Sequence, residues 1–224
     1  SLKEKMNSYH LTDAWGEHGG ALSLTKKEVS VTNEEEIRKL FYTRHSVRDY
    51  DDSDVSNEKI KEAIELALRC PSACNRQPTK AYVINATDRL KAGFENDYHA
   101  NKYIILTGDM SAFSSDELDD WLISTSIFAG YLSLSLHAVG IANCVLRKNI
   151  IYKSKYNDEM RKACEIPGNE QIVVELAIGN YKDEFRAPVS NRKSIDDVLT
   201  FVIISAFLLL SKEFNACLIS FDAS

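Results

Sequence analysis

Several familiar signatures are missing from this sequence, and each absence excludes a class of function. The 224 residues contain no Gly-x-Gly-x-x-Gly run, which argues against a Rossmann-type nicotinamide or FAD site. They contain no Gly-x-Ser-x-Gly run, which argues against a hydrolase nucleophile elbow. Positively charged residues are outnumbered, since the chain has 27 Lys and Arg but 33 Asp and Glu. Nucleic acids and anionic membranes need clustered positive charge, so neither is expected as a partner.

Metal ligands and long apolar runs are scarce as well. No two of the five cysteines have Cys-x-x-Cys spacing, and the five histidines show no ligand spacing, so no metal site is expected. The odd number of cysteines, with no secretory leader, favours reduced thiols and a cytoplasmic protein. The longest apolar run, Phe201 to Leu210, is shorter than the roughly 20 residues of a membrane-spanning helix. No membrane partner is therefore expected.

The composition is that of an ordinary globular chain, with 44% hydrophobic and 27% charged residues. The length suits one domain with a sizeable core. Residues 1–31 have weak periodicity and predict an extended N-terminal arm. The domain itself is predicted over residues 32–199. Residues 200–224 are predicted to form a C-terminal tail that packs on a partner subunit or, alternatively, on its own subunit. Whether the apolar run in that tail is a strand or a helix stays open.

Strands alternate with helices along the domain, which predicts an α+β or α/β sandwich. The predicted helices run from a Thr32/Glu35 capping pair to Thr43, from Ser56 to Arg69, from Ser115 to Val139 and from Tyr156 to Cys164. The predicted strands are Lys80 to Asn85, Tyr103 to Thr107, Ala142 to Leu146 and Gln171 to Ile178.

The third predicted helix is apolar on nearly all sides from Trp121 to Val139, which is typical of a buried helix, and Gly140 would end it. His137, within it, is expected to be a core histidine with its hydrogen bonds satisfied. So much apolar surface is more than one subunit covers easily, which favours a homodimer.

Three polar segments carry the candidate chemistry, and each alone is open to a plain structural interpretation. Arg44 to Arg48 holds two guanidiniums and a hydroxyl, which suit a phosphate but also a cationic helix end. Pro71 to Pro78 is bracketed by prolines and holds amides that suit the pyrimidine edge of a flavin, or it is an ordinary turn. Pro188 to Lys193 is basic, and is a second phosphate-binding candidate or a solvated loop.

The order and spacing of these three segments resemble the nitroreductase family. An Arg-x-Ser-x-Arg element is followed about 25 residues later by Pro-Ser-x-x-Asn-x-Gln-Pro, then a long apolar helix ending in Gly, then Pro-x-Ser-x-Arg. The resemblance covers about Glu34 to Val198. It implies a nitroreductase-like α+β sandwich with a central, mainly antiparallel sheet flanked by helices. It also implies an intertwined homodimer with FMN bound between the subunits.

The resemblance also implies the site residues. Arg44, His45, Ser46 and Arg48 would form the first FMN segment. Pro71, Ser72, Ala73, Asn75 and Gln77 would belong to the segment given by the other subunit, against the flavin ring. Cys144 and Val145 would lie in the backbone segment beside the ring, and Arg192 with Lys193 would bind the phosphate. No side chain is expected to act as a catalytic base, since the chemistry belongs to the flavin.

The function implied is an FMN-dependent oxidoreductase that passes hydride from NADH or NADPH to a nitroaromatic, a quinone or another small acceptor by a ping-pong mechanism. Two alternatives stay open: another flavin reaction on this fold, such as dehydrogenation or dehalogenation, or a non-catalytic flavin-binding protein. The sequence departs from the family at Thr79, where an aromatic residue is common, and at Asn143-Cys144-Val145, which lacks a Trp. The family often carries a helical insertion that covers the substrate side, whereas here only Ala86 to Lys102 separate the first two predicted strands. The acceptor pocket is therefore expected to be open or covered by the N-terminal arm.

Overall fold

A computed structural model describes residues 24–30, 33–117, 119–147 and 155–202 of the chain. The chain divides into two units, Ser1–Pro188 and Val189–Ser224, which are described separately. The N-terminal arm predicted for residues 1–31 lies outside the described residues up to residue 23. Most of the C-terminal tail, from residue 203, lies outside them too.

The first unit contains six helices and four strands within its described residues. The helices are α1 (Lys26–Val29), α2 (Glu34–Thr43), α3 (Asn57–Ala67), α4 (Ala86–Lys91), α5 (Asp120–Ala138) and α6 (Lys155–Ala163). The strands are β1 (Thr79–Asn85), β2 (Lys102–Asp109), β3 (Ile141–Leu146) and β4 (Glu170–Asn180). Single 3₁₀ turns lie at Ala73–Asn75, Asp97–His99 and Met110–Ala112.

The four strands form one sheet in the order β1-β2-β4-β3, and every neighbouring pair is antiparallel. The α+β class with an antiparallel sheet is therefore confirmed. The register runs from Thr79 opposite Gly108 at one end of the sheet to Cys144 opposite Ala177 towards the other. β1 and β3 are the two edge strands, and the candidate segments approach the sheet at these two edges.

The sheet buries apolar side chains on both faces. One face, with Ile104, Leu106 and Leu176, packs against α3 and α5. The other face packs Tyr103 and Ala177 together with side chains from the chain that follows α2. This arrangement follows from the alternation of side chains along each strand. It buries both faces of the central strands β2 and β4, which explains the apolar runs within these two strands.

Two predicted helix starts differ from the structure. α2 is capped by Asn33, whose side chain accepts from Glu36 N at 3.1 Å, so the predicted capping position at Thr32 is wrong by one residue. α5 begins at Asp120 rather than at Ser115. The Glu117 carboxylate accepts from both the backbone N and the hydroxyl of Ser114, at 3.0 and 2.9 Å, and closes a local turn there. Such short polar bonds compete with helix formation.

The sequence predicts that the long helix α5 is buried, but within one subunit it is not buried on all sides. Its inner face packs on the sheet through Phe128, Leu132 and Leu136. Its outer face exposes Ile123 at 53% and Tyr131 at 44%. The apolar stripe on α2 is exposed as well, since that helix has no buried residue. The chain therefore presents apolar helix surface to the outside.

The described part of the second unit, residues 189–202, is exposed at every position. A turn is closed where Leu199 N donates to Ile195 O at 2.8 Å, and where Ser194 and Asp197 bond to each other. Val198 and Phe201 are 70% and 83% exposed. No helix within the described residues of the chain has the length and apolarity that a bilayer crossing demands.

Candidate functional site

The first candidate segment, Arg44 to Arg48, begins where α2 ends and runs beside the open edge of β3. Val47 N donates to the carbonyl oxygen of Asn143 at 3.1 Å, and its side chain is buried. Two residues beyond the segment, the hydroxyl of Tyr50 donates to the backbone oxygen of Val47 or of Ala177, at 2.8 and 3.1 Å. The C-terminal part of the segment is therefore attached to the sheet, directly at Val47 and through Tyr50 just beyond Arg48.

A close approach at Gly179 completes this attachment. A Cβ placed on Gly179 would lie 2.5 Å from Cγ of Tyr50, a distance that real Cβ atoms do not show. Only glycine lets the Tyr50 ring lie directly on β4. The same ring anchors the chain after Arg48, so the glycine helps to set the position of the first segment.

The side chains of the first segment remain available to a ligand. Arg44 and Ser46 are half-buried, while His45 and Arg48 are exposed. Within the described residues, neither Arg44 nor Arg48 forms an ion pair with a carboxylate. The guanidinium of Arg48 lies 5.5 Å from the centre of the Tyr98 ring. Two uncompensated guanidiniums in five residues are unusual in a chain with net charge −6.

Cys144 of β3 lies next to this segment, and Val145 follows it on the same strand. Burial raises the pKa of the Cys144 thiol, and the nearby charges of Arg48 and Arg44, with hydrogen bonds from Ser46 and Arg48, oppose that rise. The thiol is thus neutral at physiological pH and lies among the polar groups of the first segment. Val145 is 42% exposed on the free edge of the sheet.

Asn143 holds this part of β3 to the long helix. Its side-chain oxygen accepts from the Ser133 hydroxyl at 2.7 Å, and its amide nitrogen donates to the Ser133 backbone oxygen at 3.0 Å. Both residues are buried, so the pair is shielded from water. The backbone oxygen of Asn143 also accepts a hydrogen bond from Val47 N. One buried asparagine therefore joins α5, β3 and the first segment.

The second candidate segment, Pro71 to Pro78, forms a tight loop with an unusual backbone conformation. Cys74, Asn75 and Gln77 have φ of 49°, 54° and 46°, in the left-handed region that non-glycine residues rarely adopt. Ser72 holds the turn, because its hydroxyl accepts from Gln77 N at 3.1 Å and its carbonyl from Asn75 N at 3.0 Å. The side chains of Asn75 and Gln77 are exposed.

The N-terminal part of α5 supports this loop. Ala73 N donates to the hydroxyl of Ser124, a buried residue, at 3.2 Å. Arg76 donates to the Glu117 carboxylate at 2.6 Å and lies 4.9 Å from the centre of the Phe113 ring. Hydrogen bonds from Arg76 and from Ser114 lower the pKa of Glu117 to about 2. The charge of Arg76 is therefore compensated locally, unlike the charges in the first segment.

A small pocket of about 100 Å³ opens beside the second segment. Its lining includes the apolar side chains of Leu68 and Phe128 and the polar groups of Ser72 and Gln77. A mainly apolar hollow next to exposed amides suits the edge of a planar heteroaromatic ring.

The structure does not bring the two segments together within one subunit. The second segment contacts α5 at Ser124, whereas the first contacts it at His137 through Thr43. These two residues of α5 lie about 20 Å apart, at a rise of 1.5 Å per residue. The two segments also approach opposite edges and opposite ends of the sheet. The three strand spacings and six residue steps between Thr79 and Asn143 amount to roughly 24 Å. One tricyclic ring does not reach from one segment to the other.

Arg192 and Lys193 lie in the second unit, and both are exposed. Arg192 donates to the Ser190 backbone oxygen at 3.1 Å, which leaves most of its guanidinium donors available.

Sequence reasoning missed two residues beside the candidate segments. Tyr98 packs on Arg48 from a 3₁₀ turn in which Tyr98 and His99 have φ of 60° and 52°. Ser124 holds the second loop from inside a helix that reads only as apolar. Neither residue belongs to a motif, so only the tertiary structure reveals them.

The fold and these two segments define an α+β domain of the nitroreductase type, and the comparisons agree. Residues 42–109 match the sequence model of the nitroreductase family. Over 156 residues the chain is 28% identical to an Archaeoglobus fulgidus protein named "Putative NADH dehydrogenase/NAD(P)H nitroreductase". The match covers 67% of this chain and 88% of that protein.

Solved structures show the same fold. A nitroreductase family protein from Clostridium difficile 630 superposes with a TM-score of 0.60 at 24% identity, covering 74% of this chain and 98% of that one. A nitroreductase with bound FMN from Desulfitobacterium hafniense superposes with a TM-score of 0.60 at 20% identity, covering 75% and 98%. The comparisons therefore show a nitroreductase-like fold and bear out the resemblance to the nitroreductase family that the motifs indicate.

Proposed function

We propose that the protein is an FMN-dependent oxidoreductase that takes hydride from NADH or NADPH and passes it to a small acceptor. The observation that carries the proposal is the first segment. On a nitroreductase-like fold, it places a hydroxyl and two guanidiniums, which have no carboxylate partner among the described residues, close to Cys144 of β3. A ligand that combines a phosphate with a hydrogen-bonding ring would use both kinds of group.

The donor set of the first segment fits FMN. Arg44 and Arg48 offer planar pairs of N–H donors to phosphate, ribityl or ring oxygens, and Ser46 adds one hydroxyl. Arg192, with most of its donors unused, is proposed as a further phosphate ligand, with Lys193 beside it. The polar side chains of Asn75 and Gln77 offer both donors and acceptors to a pyrimidine edge. FMN, when bound, supplies the hydride chemistry, for which no catalytic side chain is required.

A second copy of the chain is part of the proposal. The first and second segments are too far apart in one subunit to contact one ring, so a complete site takes one segment from each of two subunits. The exposed apolar face of α5, with Ile123 and Tyr131, supplies a surface that a homodimer would bury. The exposed Val198 and Phe201 support packing of the C-terminal tail on the partner.

The simplest test is the colour and the flavin content of the purified full-length protein. The protein is expected to bind FMN, either as purified or after reconstitution, and to release FMN rather than FAD on denaturation. Stopped-flow mixing with NADH or NADPH is then expected to bleach the flavin on the timescale of turnover. A protein that binds no flavin, or that binds it without reduction by either nucleotide, contradicts the proposal.

The proposed mechanism is ping-pong, because one pocket serves the nicotinamide and the acceptor in turn. Steady-state rates at varied concentrations of NADH or NADPH and of a quinone or nitroaromatic acceptor are expected to give parallel double-reciprocal lines. Intersecting lines would show that both substrates bind at once and would contradict this mechanism.

A further inference from the structure

The last turn of α5 carries a hydrogen-bonded chain that neither the motifs nor the family resemblance assigns. Nε2 of His137 lies 2.9 Å from the hydroxyl oxygen of Thr43, and Nδ1 lies 2.7 Å from the hydroxyl oxygen of Tyr181. Both ring nitrogens are thus engaged, which confirms the expectation of a satisfied histidine. The partners, however, come from two other parts of the chain, the end of α2 and the residue after β4.

The direction of each hydrogen bond follows from counting protons. The Thr43 hydroxyl donates its only proton to the Lys39 backbone oxygen at 2.7 Å, so towards His137 it must accept. Nε2 of His137 therefore carries the proton. In a neutral imidazole Nδ1 is then an acceptor, and the Tyr181 hydroxyl must donate to it. The neutral Nε2–H tautomer is the only neutral form that satisfies all three groups.

The surroundings favour this neutral form. Burial lowers the pKa of His137, and the positive charges of Arg44 and His45 lower it further. The other titratable group that faces the ring is Tyr181, whose pKa is raised by burial. The Tyr181 ring is held in turn by Phe185, with ring centres 5.1 Å apart. The imidazole is therefore fixed from both sides.

Thr43 is the residue immediately before Arg44, so whatever fixes Thr43 fixes the start of the first segment. Arg44 is exposed enough to reach a ligand, and within the described residues it has no carboxylate partner to hold it. Its orientation depends on the backbone from which it leaves α2. The Nε2–H bond from His137 ties that backbone to the long helix.

We propose that His137, as its neutral Nε2–H tautomer, is a positioning residue that holds Thr43 and thereby aims Arg44 at the FMN phosphate or ribityl oxygens. The inference rests on the proposed FMN-binding function. His137 does not touch the cofactor in this account. It acts through Thr43, so the hydroxyl of Thr43 matters and its methyl group does not.

The test compares Thr43→Val with Thr43→Ser in the full-length protein. Valine keeps the shape of threonine but accepts no hydrogen bond, whereas serine keeps the acceptor. Two measurements are made on each variant: the tautomer of His137 in the flavin-free protein, by ¹⁵N NMR of labelled histidine, and the Kd for FMN by fluorescence titration. His137→Gln identifies the His137 signals.

The wild-type protein and Thr43→Ser are expected to show the Nε2–H tautomer and to bind FMN equally well. Thr43→Val is expected to lose the single tautomer and to bind FMN about five- to tenfold more weakly, as the loss of one positioning hydrogen bond implies. A purely structural role would lower the melting temperature of Thr43→Val without changing its Kd well below that temperature.

Three results would overturn the inference. An Nδ1–H tautomer in the wild-type protein would contradict the proton count. Unchanged FMN affinity in Thr43→Val, with tight binding by the wild-type protein, would overturn the positioning role alone. A wild-type protein that binds no FMN would overturn the proposed function and this inference together.

Discussion

The two candidate segments of the site are built on opposite principles. The first, Arg44 to Arg48, has uncompensated charge on a backbone that is held to β3 without strain. The second, Pro71 to Pro78, has three residues in the left-handed region, and its one charged side chain, Arg76, is compensated by Glu117. The comparison indicates that the first segment contributes charge and the second contributes shape.

The largest effect is expected from removing charge in the first segment. Arg44→Ala and Arg48→Ala should each weaken FMN binding by about tenfold to a hundredfold, since a charge-assisted hydrogen bond contributes roughly 1.5–3 kcal/mol. Titration at several salt concentrations should also show a weaker salt dependence in both variants. Arg38→Ala is the matched control, because Arg38 pairs with Glu34 on the exposed side of α2. An unchanged Kd in either variant would remove that arginine from the site.

Arg192→Ala makes the same measurement on the second unit. The proposed phosphate contact predicts a loss of FMN affinity in the same range as for Arg44→Ala. Arg186→Ala, which removes an exposed arginine outside the three motifs, is the control. Equal FMN affinity in Arg192→Ala and the wild-type protein would exclude the late basic motif from the site.

A smaller effect, of a different kind, is expected from the second segment. Asn75→Val places a β-branched residue at φ 54° and removes an amide, so it should weaken FMN binding by about five- to fiftyfold. Asn75→Gly removes the same amide but accepts the left-handed backbone, and should lose less affinity. Neither change should alter the salt dependence of the Kd. Equal losses in the two variants would show that the amide alone matters and that the backbone shape does not.

The sequence predicts the helices and strands better than it predicts the contacts within the candidate site. The predicted strands and helices follow from apolar runs and from helical periodicity, and they lie within a few residues of the observed elements, except at the start of α5. There the bonds between Ser114 and Glu117 form a turn that periodicity does not report. The short helices α1 and α4 are not predicted by either pattern. No local pattern predicts that the first segment lies next to Cys144; the family resemblance implies only that both lie near the flavin. His137, Tyr98 and Ser124 could not be assigned, because their partners come from distant parts of the chain.

The pH dependence of stability should be modest and should come in part from His137. Because burial and nearby positive charge lower the pKa of His137 below the value of 6.5 that it has when unfolded, the unfolded chain binds the proton more readily. The contribution of His137 is therefore present above about pH 6.5 and is lost as the pH falls through the lowered value. Unfolding free energies between pH 7.5 and 5 should fall less steeply in His137→Gln than in the wild-type protein. Parallel curves would exclude His137 from this effect.

The smallest effect is expected from the Arg76 and Glu117 pair. Both side chains are about one-third exposed, at 33% and 30%, so water screens the interaction and its contribution to stability is small. Because the pKa of Glu117 is lowered from 4.5 to about 2, this contribution is full above about pH 4.5 and is lost as the pH falls towards 2. Glu117→Gln should leave the Kd for FMN close to that of the wild-type protein. A large loss of affinity would show that charge in the second segment also matters, and would break the division drawn above.

The central claim is that each FMN site takes its charged segment from one subunit and its shaped loop from the other. Mixed dimers test it directly. One copy carries Arg44→Ala and Arg48→Ala, the other carries Ser72→Ala and Asn75→Val, and distinct tags allow the mixed dimer to be purified and its FMN titrated. The account predicts that neither parental dimer binds FMN tightly, while the mixed dimer binds one FMN per two chains with wild-type affinity. A mixed dimer that binds no better than its parents would contradict the shared site.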